Sequence, residues 1–179
     1  TGVRTAKTQF RGAAVVNCAG AWAGQIGPRP FPLRPVKGQM LALVSSDHTL
    51  LRHVVRAPEV YLVPRSDGRI VVGSTLEEAG FDKRVDPDTV HRLHQAAANL
   101  VPDLGEARLH EAWAGLRPCT PDNLPILGST DIHGYFVALG HFRNGILLTA
   151  ITAHLIAQVV RGVSPEFDLA PFSAARFAT

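Results

Sequence analysis

No run of basic residues in this 179-residue chain is longer than Lys83-Arg84, although lysine and arginine outnumber the acids by 18 to 15. Binders of nucleic acid or membrane surfaces gather their cations into patches, so both partner classes are set aside. Cysteine is nearly absent: Cys18 and Cys119 form neither a CxxC pair nor the dense spacing of a secreted disulfide framework. Reduced thiols in a cytoplasmic setting are expected. No apolar stretch is long and uncharged enough for a membrane span, because His154 interrupts the best candidate. His91 and His94 stand one helical turn apart without a third ligand nearby, and no nucleophile elbow occurs. Metal-dependent and Ser/His/Asp hydrolysis are therefore unsupported, and no metal site is expected. Finally, the glycines nowhere form GxGxxG. The usual turn that cradles a dinucleotide pyrophosphate is missing.

What is present reads as mixed strand and helix. "FRGAAVVNCAGAWAGQIG" holds a short apolar strand, Ala13 to Cys18, that enters a turn of small residues. Small side chains there leave space for a ligand at the carboxyl end of the strand, where open α/β sheets bind theirs. Prolines 28, 30, 32 and 35 enforce an extended crossing, and Val36 to Val44 then reads as a strand. Tyr61–Arg65 and Arg69–Ser74 flank Ser66-Asp67-Gly68, a hairpin turn with glycine in last place. That loop length sets Val63 opposite Val71 and Tyr61 opposite Gly73, leaving open space beside a phenol hydroxyl.

Asp86 caps a helix whose first turn takes Pro87 and whose apolar face carries Val90, Leu93, Ala97, Leu100 and Val101. Ala107 to Leu116 suits a strand, after which Pro118, Pro121 and Pro125 imply a stiff connection without regular hydrogen bonding. Arg117 lies between the two, behind Trp113-Ala114-Gly115-Leu116. Partial burial is expected there, and a buried guanidinium requires an anionic partner. Tyr135 to Gly140 is the last strand, and it feeds "GHFRNGILLTAITAHLIAQVVRG". Apolar residues on nearly every face of that segment predict a buried helix capped by Asn144 and opened by Gly145. Its positive end, with Arg143 beside it, is a ready place for negative charge.

"VVNCAGAWAG", "PVKGQMLAL", "YLVPRSDGRIVVGSTLE", "WAGLRPCTPDNLPILG" and "GHFRNGILLTAITAHLIA" follow one another here. In that order they resemble the carboxyl-terminal half of the D-amino-acid oxidase family of FAD-dependent oxidoreductases, in its glycine-oxidase branch, which serves thiamine biosynthesis. The resemblance implies an α/β fold. Residues 1–27 and 118–163 would belong to an FAD-binding layer and 28–117 to an antiparallel substrate domain with a flanking helix, while 164–179 form an irregular tail. It implies oxidative deamination of glycine or a small D-amino acid, with hydride transfer to flavin. By the same resemblance, Tyr61, Arg117 and Arg143 bind substrate. Ala19, Gly20, Trp22, His141, Phe142, Arg143, Asn144, Gly145, Ile146 and Leu147 bind FAD. No side chain is assigned as a catalytic acid or base, since the flavin does the chemistry. Because the GxGxxG half is not matched, a complementary amino-terminal chain or self-association is an expected partner. A fragment that binds no FAD and a subunit of a related amino-acid or opine dehydrogenase remain the alternatives.

Overall fold

A computed structural model describes residues 1–177 of the chain. In chain order the elements are β1 (Gly2–Arg4), β2 (Gln9–Arg11), β3 (Val15–Asn17), β4 (Arg34–Val44), β5 (Val55–Arg56), β6 (Tyr61–Pro64) and β7 (Arg69–Gly73). They continue with α1 (Pro87–Leu100), β8 (Arg108–Cys119), β9 (Ile126–Ser129), β10 (Tyr135–Leu139) and α2 (Thr149–Val160). Contacts divide the chain into two compact units: Val36–Leu116, and Thr1–Pro35 together with Arg117–Thr179. The fold is mixed α/β, rich in antiparallel pairing and with few helices. Among the described residues no helix is long and apolar enough to cross a membrane.

The Val36–Leu116 unit is built on a sheet of order β5-β6-β7-β4-β8. Alternation along its strands turns Leu41, Leu43, Leu62, Ile70 and Val72 toward one face, where they meet Leu93 and Ala97 of α1. Burying each such leucine contributes roughly 1.5–3 kcal/mol. The hairpin has the expected register, with Tyr61 opposite Gly73 and Val63 opposite Val71. Helix α1 starts where the sequence places it: the Asp86 carboxylate accepts from the backbone N–H groups of Asp88 and Thr89. Gln39 ties this start to β4. Its Oε1 accepts from the Asp86 N–H at 2.7 Å, and its Nε2 donates to Glu77 at 2.9 Å. Asp86→Ala should therefore lower unfolding stability by about 0.5–2 kcal/mol, read from urea denaturation, while the five-stranded sheet stays intact. The buried line of the helix is Thr89, Leu93 and Ala97, and Leu100 is 39% exposed. An advance of four residues leads from Ala97 to Val101 and leaves Leu100 to one side, which corrects its expected place in the apolar face. His94 is engaged structurally, its Nε2 2.7 Å from the Leu104 carbonyl oxygen.

In the other unit β10 is central, parallel to β3 and antiparallel to β9. Ala23, Phe31, Ile126, Tyr135, Val137 and Leu139 form its core. An exposed hairpin, β1 with β2, precedes the sheet; Thr5 Oγ1 organises its turn by accepting from the N–H groups of Lys7 and Thr8. The tail expected to be irregular forms short 3-10 turns at Ala170–Phe172 and Ala174–Phe177. It is ordered because Ala174 enters the core and Arg176 bonds Asp122 and the Leu124 carbonyl. The hydrogen bonds from Arg176 hold the Asp122 carboxyl at about 2. Positions 178–179 of that tail lie outside the described residues.

Two further expectations are corrected. β8 does not stop at Leu116 but runs through Arg117 and Pro118 to Cys119. It is an edge strand, where a proline without an N–H costs little. Helix α2 begins at Thr149 rather than at Gly145; Leu148 stands at its cap, and the Asn144 side chain makes no capping bond. The helix is also less buried than its composition implies, with only Leu155 and Ile156 enclosed. It contacts β9 and β10 on one side. Ile146 and Leu147 are 93% and 81% exposed, so no apolar contact rewards extending the regular helix back beyond the single turn that precedes it.

Candidate functional site

The end of β8 and the turn after β10 meet. Cys119 and His141 form an antiparallel bridge, and the Phe142 N–H donates to the Pro118 carbonyl at 3.0 Å. Counted outward from that bridge, Arg117 on one chain segment and Arg143 on the other are each two residues away. Residues remote in sequence thus bring together the backbone segments that carry Arg117, which is half-buried, and Arg143, which is exposed. The turn that carries Arg143 is held tightly. Gly140 has φ 72° and Phe142 has φ 48°. A Cβ placed on Gly140 would lie 2.6 Å from Cγ2 of the fully buried Thr120. Thr120 is pinned in turn by its hydroxyl, which donates to the Leu124 carbonyl at 2.8 Å.

Beyond the junction lies a cavity of about 250 Å³ at the carboxyl ends of β3 and β10, bordered by Cys18, Ala138, His141, Gly145, Thr149 and Thr152, among others. His141 Nε2 is 3.0 Å from Thr152 Oγ1, which ties the turn to α2. Burial pushes the His141 imidazole down from its ordinary value, which favours the neutral ring. Among the described residues no hydrogen bond engages the backbone N–H of Gly145, Ile146 or Leu147. Leu148 donates to the Asn144 carbonyl at 2.9 Å, so the segment is already one helical turn, although α2 proper begins later.

A larger cavity, about 620 Å³, opens on β3 and the Ile26–Pro28 bend. Both cavities touch Cys18, while Ala19 borders the larger one. Ala19 is half-buried, Trp22 is 43% exposed, and Gly20, with φ 55°, has open space where a side chain would stand. Asn17, which sequence reasoning left inside an apolar strand, governs this turn. Its Oδ1 accepts from the Ala19 N–H, and its Nδ2 donates to the carbonyls of Ala23 and Ile26 and to the Tyr135 hydroxyl. The available signal was an amide amid "VVNCAG"; a buried amide must be hydrogen-bonded.

Tyr61 belongs to the Val36–Leu116 unit. It is half-buried on β6, and its hydroxyl donates to Met40 Sδ at 3.8 Å. Of the expected site residues, the structure therefore brings Arg117, His141, Phe142 and Arg143 to one junction. Asn144, Ile146 and Leu147 are exposed, and Gly145 lines the cavity.

Residues 1–159 match the family model of FAD dependent oxidoreductases, DAO. The hydrogen cyanide synthase subunit HcnC of Pseudomonas protegens is 41% identical over 175 residues, covering 95% of this chain and 42% of that protein. Glycine oxidase of Geobacillus kaustophilus is 42% identical over 172 residues, covering 93% of this chain and 45% of that protein. The crystal structure of the Geobacillus enzyme superposes with a TM-score of 0.91 at 40% identity, over 97% of this chain and 48% of the other. The chain belongs to the DAO family of FAD-dependent oxidoreductases. It spans less than half the length of these relatives.

Proposed function

We propose that the chain is the substrate-gripping and ring-binding portion of an FAD-dependent amino-acid oxidoreductase acting on glycine or a small D-amino acid. The observation that carries this reading is the Cys119–His141 bridge, which joins the chain segments that carry Arg117 and Arg143. Two guanidinium groups on adjoining segments would favour an anion, and a planar guanidinium can hold a carboxylate by two parallel hydrogen bonds. Arg117 is assigned the principal grip and Arg143 the second contact; Tyr61 is assigned, on the family resemblance, as a residue whose hydroxyl donates to a substrate carboxylate.

FAD, when bound, supplies the acceptor for the hydride that leaves the α-carbon. The chain's own residues fit its ring: Cys18, Ala138, Gly145 and Ala153 border the smaller cavity with little bulk. The unengaged N–H groups at Gly145, Ile146 and Leu147, at the positive end of the helical segment, would favour negative charge on the ring. Ala19, Gly20 and Trp22 are assigned to the cofactor on the other flank, and His141, Phe142 and Asn144 through the turn they shape. Thr152 holds a neutral His141 in place, and no proton transfer is assigned to any side chain. The pyrophosphate, for which no GxGxxG exists here, is assigned to a complementary amino-terminal segment or chain. A cytoplasmic setting belongs to the same reading. The likeness to a hydrogen cyanide synthase subunit favours a subunit role, and the second reading is accordingly a subunit of a related amino-acid or opine dehydrogenase.

Absorbance of the native protein, followed by parallel assays of peroxide release and dye reduction with glycine, tests both. A flavin band with glycine-dependent peroxide supports the oxidase, whereas dye reduction without peroxide supports the dehydrogenase. A flavin-free protein inert toward glycine and small D-amino acids would establish the non-catalytic alternative.

A further inference from the structure

Met40, Gly73 and Tyr61 form one row across three neighbouring strands, for Met40 pairs with Gly73 and Gly73 with Tyr61. Directly opposed residues project from the same face of a sheet. This face is the one turned away from the core, to which the adjacent Leu41, Leu62 and Val72 contribute. Gly73 has no side chain, so the outer two residues reach over it, and the Tyr61 hydroxyl donates to Met40 Sδ at 3.8 Å. The space is filled: a Cβ on Gly73 would lie 2.6 Å from the Tyr61 oxygen and 3.0 Å from Met40 Cε. Met40 is the only methionine of the chain, and both it and Tyr61 are half-buried.

A phenol has one proton to donate, and a thioether is a weak acceptor for it. We infer that Met40 is a positioning residue, the resting acceptor that aims the Tyr61 hydroxyl across Gly73 and yields it to an arriving carboxylate. The inference rests on the role proposed above for Tyr61. The weakness of sulfur as an acceptor is what makes the arrangement useful. A half-buried hydroxyl needs a partner when no ligand is present. A strong acceptor at position 40 would retain the proton and compete with the ligand, while an apolar side chain would leave the hydroxyl unaimed but unopposed. The sulfur lies between these limits, and the polarizable, unbranched methionine side chain fits the gap beside the glycine.

The test is titration of the native protein with acetate, followed by NMR of ring-labelled tyrosine. Only two tyrosines occur, Tyr61 and Tyr135, and Tyr61→Phe assigns the signals. Met40→Gln should weaken acetate binding by about 2- to 12-fold, the range of one neutral hydrogen bond. Met40→Leu, close in volume and unable to accept the proton, should bind acetate more tightly. Both effects should vanish when Tyr61→Phe is combined with them, the mark of coupling between two residues. A packing role predicts instead that Met40→Leu and Met40→Gln shift binding in the same direction and continue to do so with Tyr61→Phe; either result overturns the inference. Tyr61 signals that ignore acetate in the wild-type protein would remove the proposed role of Tyr61 and the inference with it. Signals that move without opposite effects of the two variants would remove the inference alone. The Tyr135 signal and the unfolding midpoint of each variant report whether it is folded.

Discussion

Arg117→Leu is expected to cost the protein about 2–5 kcal/mol of affinity for a small amino acid, the range for truncating one partner of a buried charge pair. Arg117 is half-buried rather than enclosed, so solvent screening places the expected loss in the lower part of that range. Arg117→Lys keeps the charge but not the planar fork, and should restore only part of the affinity. Titration of glycine or acetate against the three proteins measures the difference. An unchanged affinity in Arg117→Leu would take this residue out of the site. The unfolding midpoint of each variant, read beside its affinity, separates binding from folding, while Pro118 should still accept from Phe142 in all three proteins. A large loss of both stability and binding would point to a structural arginine instead.

The second large effect is expected at Gly140. Its φ of 72° is one that a side chain disfavours by about 1–2 kcal/mol. The added Cβ would also press on Thr120 Cγ2 at 2.6 Å, and overpacking of this kind costs about 1–3 kcal/mol. Thr120 cannot give way cheaply, since it is fully buried and its hydroxyl is committed to Leu124. Gly140→Ala should therefore lose several kcal/mol in a denaturant unfolding experiment. It should also weaken carboxylate binding, because the displaced turn is the one that carries His141 and Arg143. Wild-type stability in this variant would mean that the turn relaxes freely and does not hold Arg143 in place.

These two positions differ in how much of them could be read in advance. Arg117 stands out in the sequence as a candidate: a cation behind "WAGL" and before a proline is poorly placed for the surface, and the family motif includes it. Its strand was not legible. A proline at 118 reads as an end to hydrogen bonding, and only the knowledge that β8 is an edge strand cancels that expectation. Gly140 showed no sign of its role, since Thr120 is its neighbour only in space. The apolar segment after Asn144 misled in the opposite way. Its residues are hydrophobic all round, which implies burial, yet one sheet covers one side and leaves Ile146 and Leu147 in solvent.

The sequence by itself determined what depends on neighbours within a few residues: the Asp86 cap, the Tyr61–Gly73 register set by a three-residue loop, and the small-residue turn after Asn17. Such features close their hydrogen bonds locally, so their residue types are sufficient. Tertiary structure alone decided where β8 ends, where α2 begins, that Asn17 clasps four groups at once, and that the segments carrying Arg117 and Arg143 are joined by a bridge between Cys119 and His141. Each of these is settled by a partner brought up from elsewhere in the chain, and the free energy of such a contact leaves no periodic trace in the residues that make it.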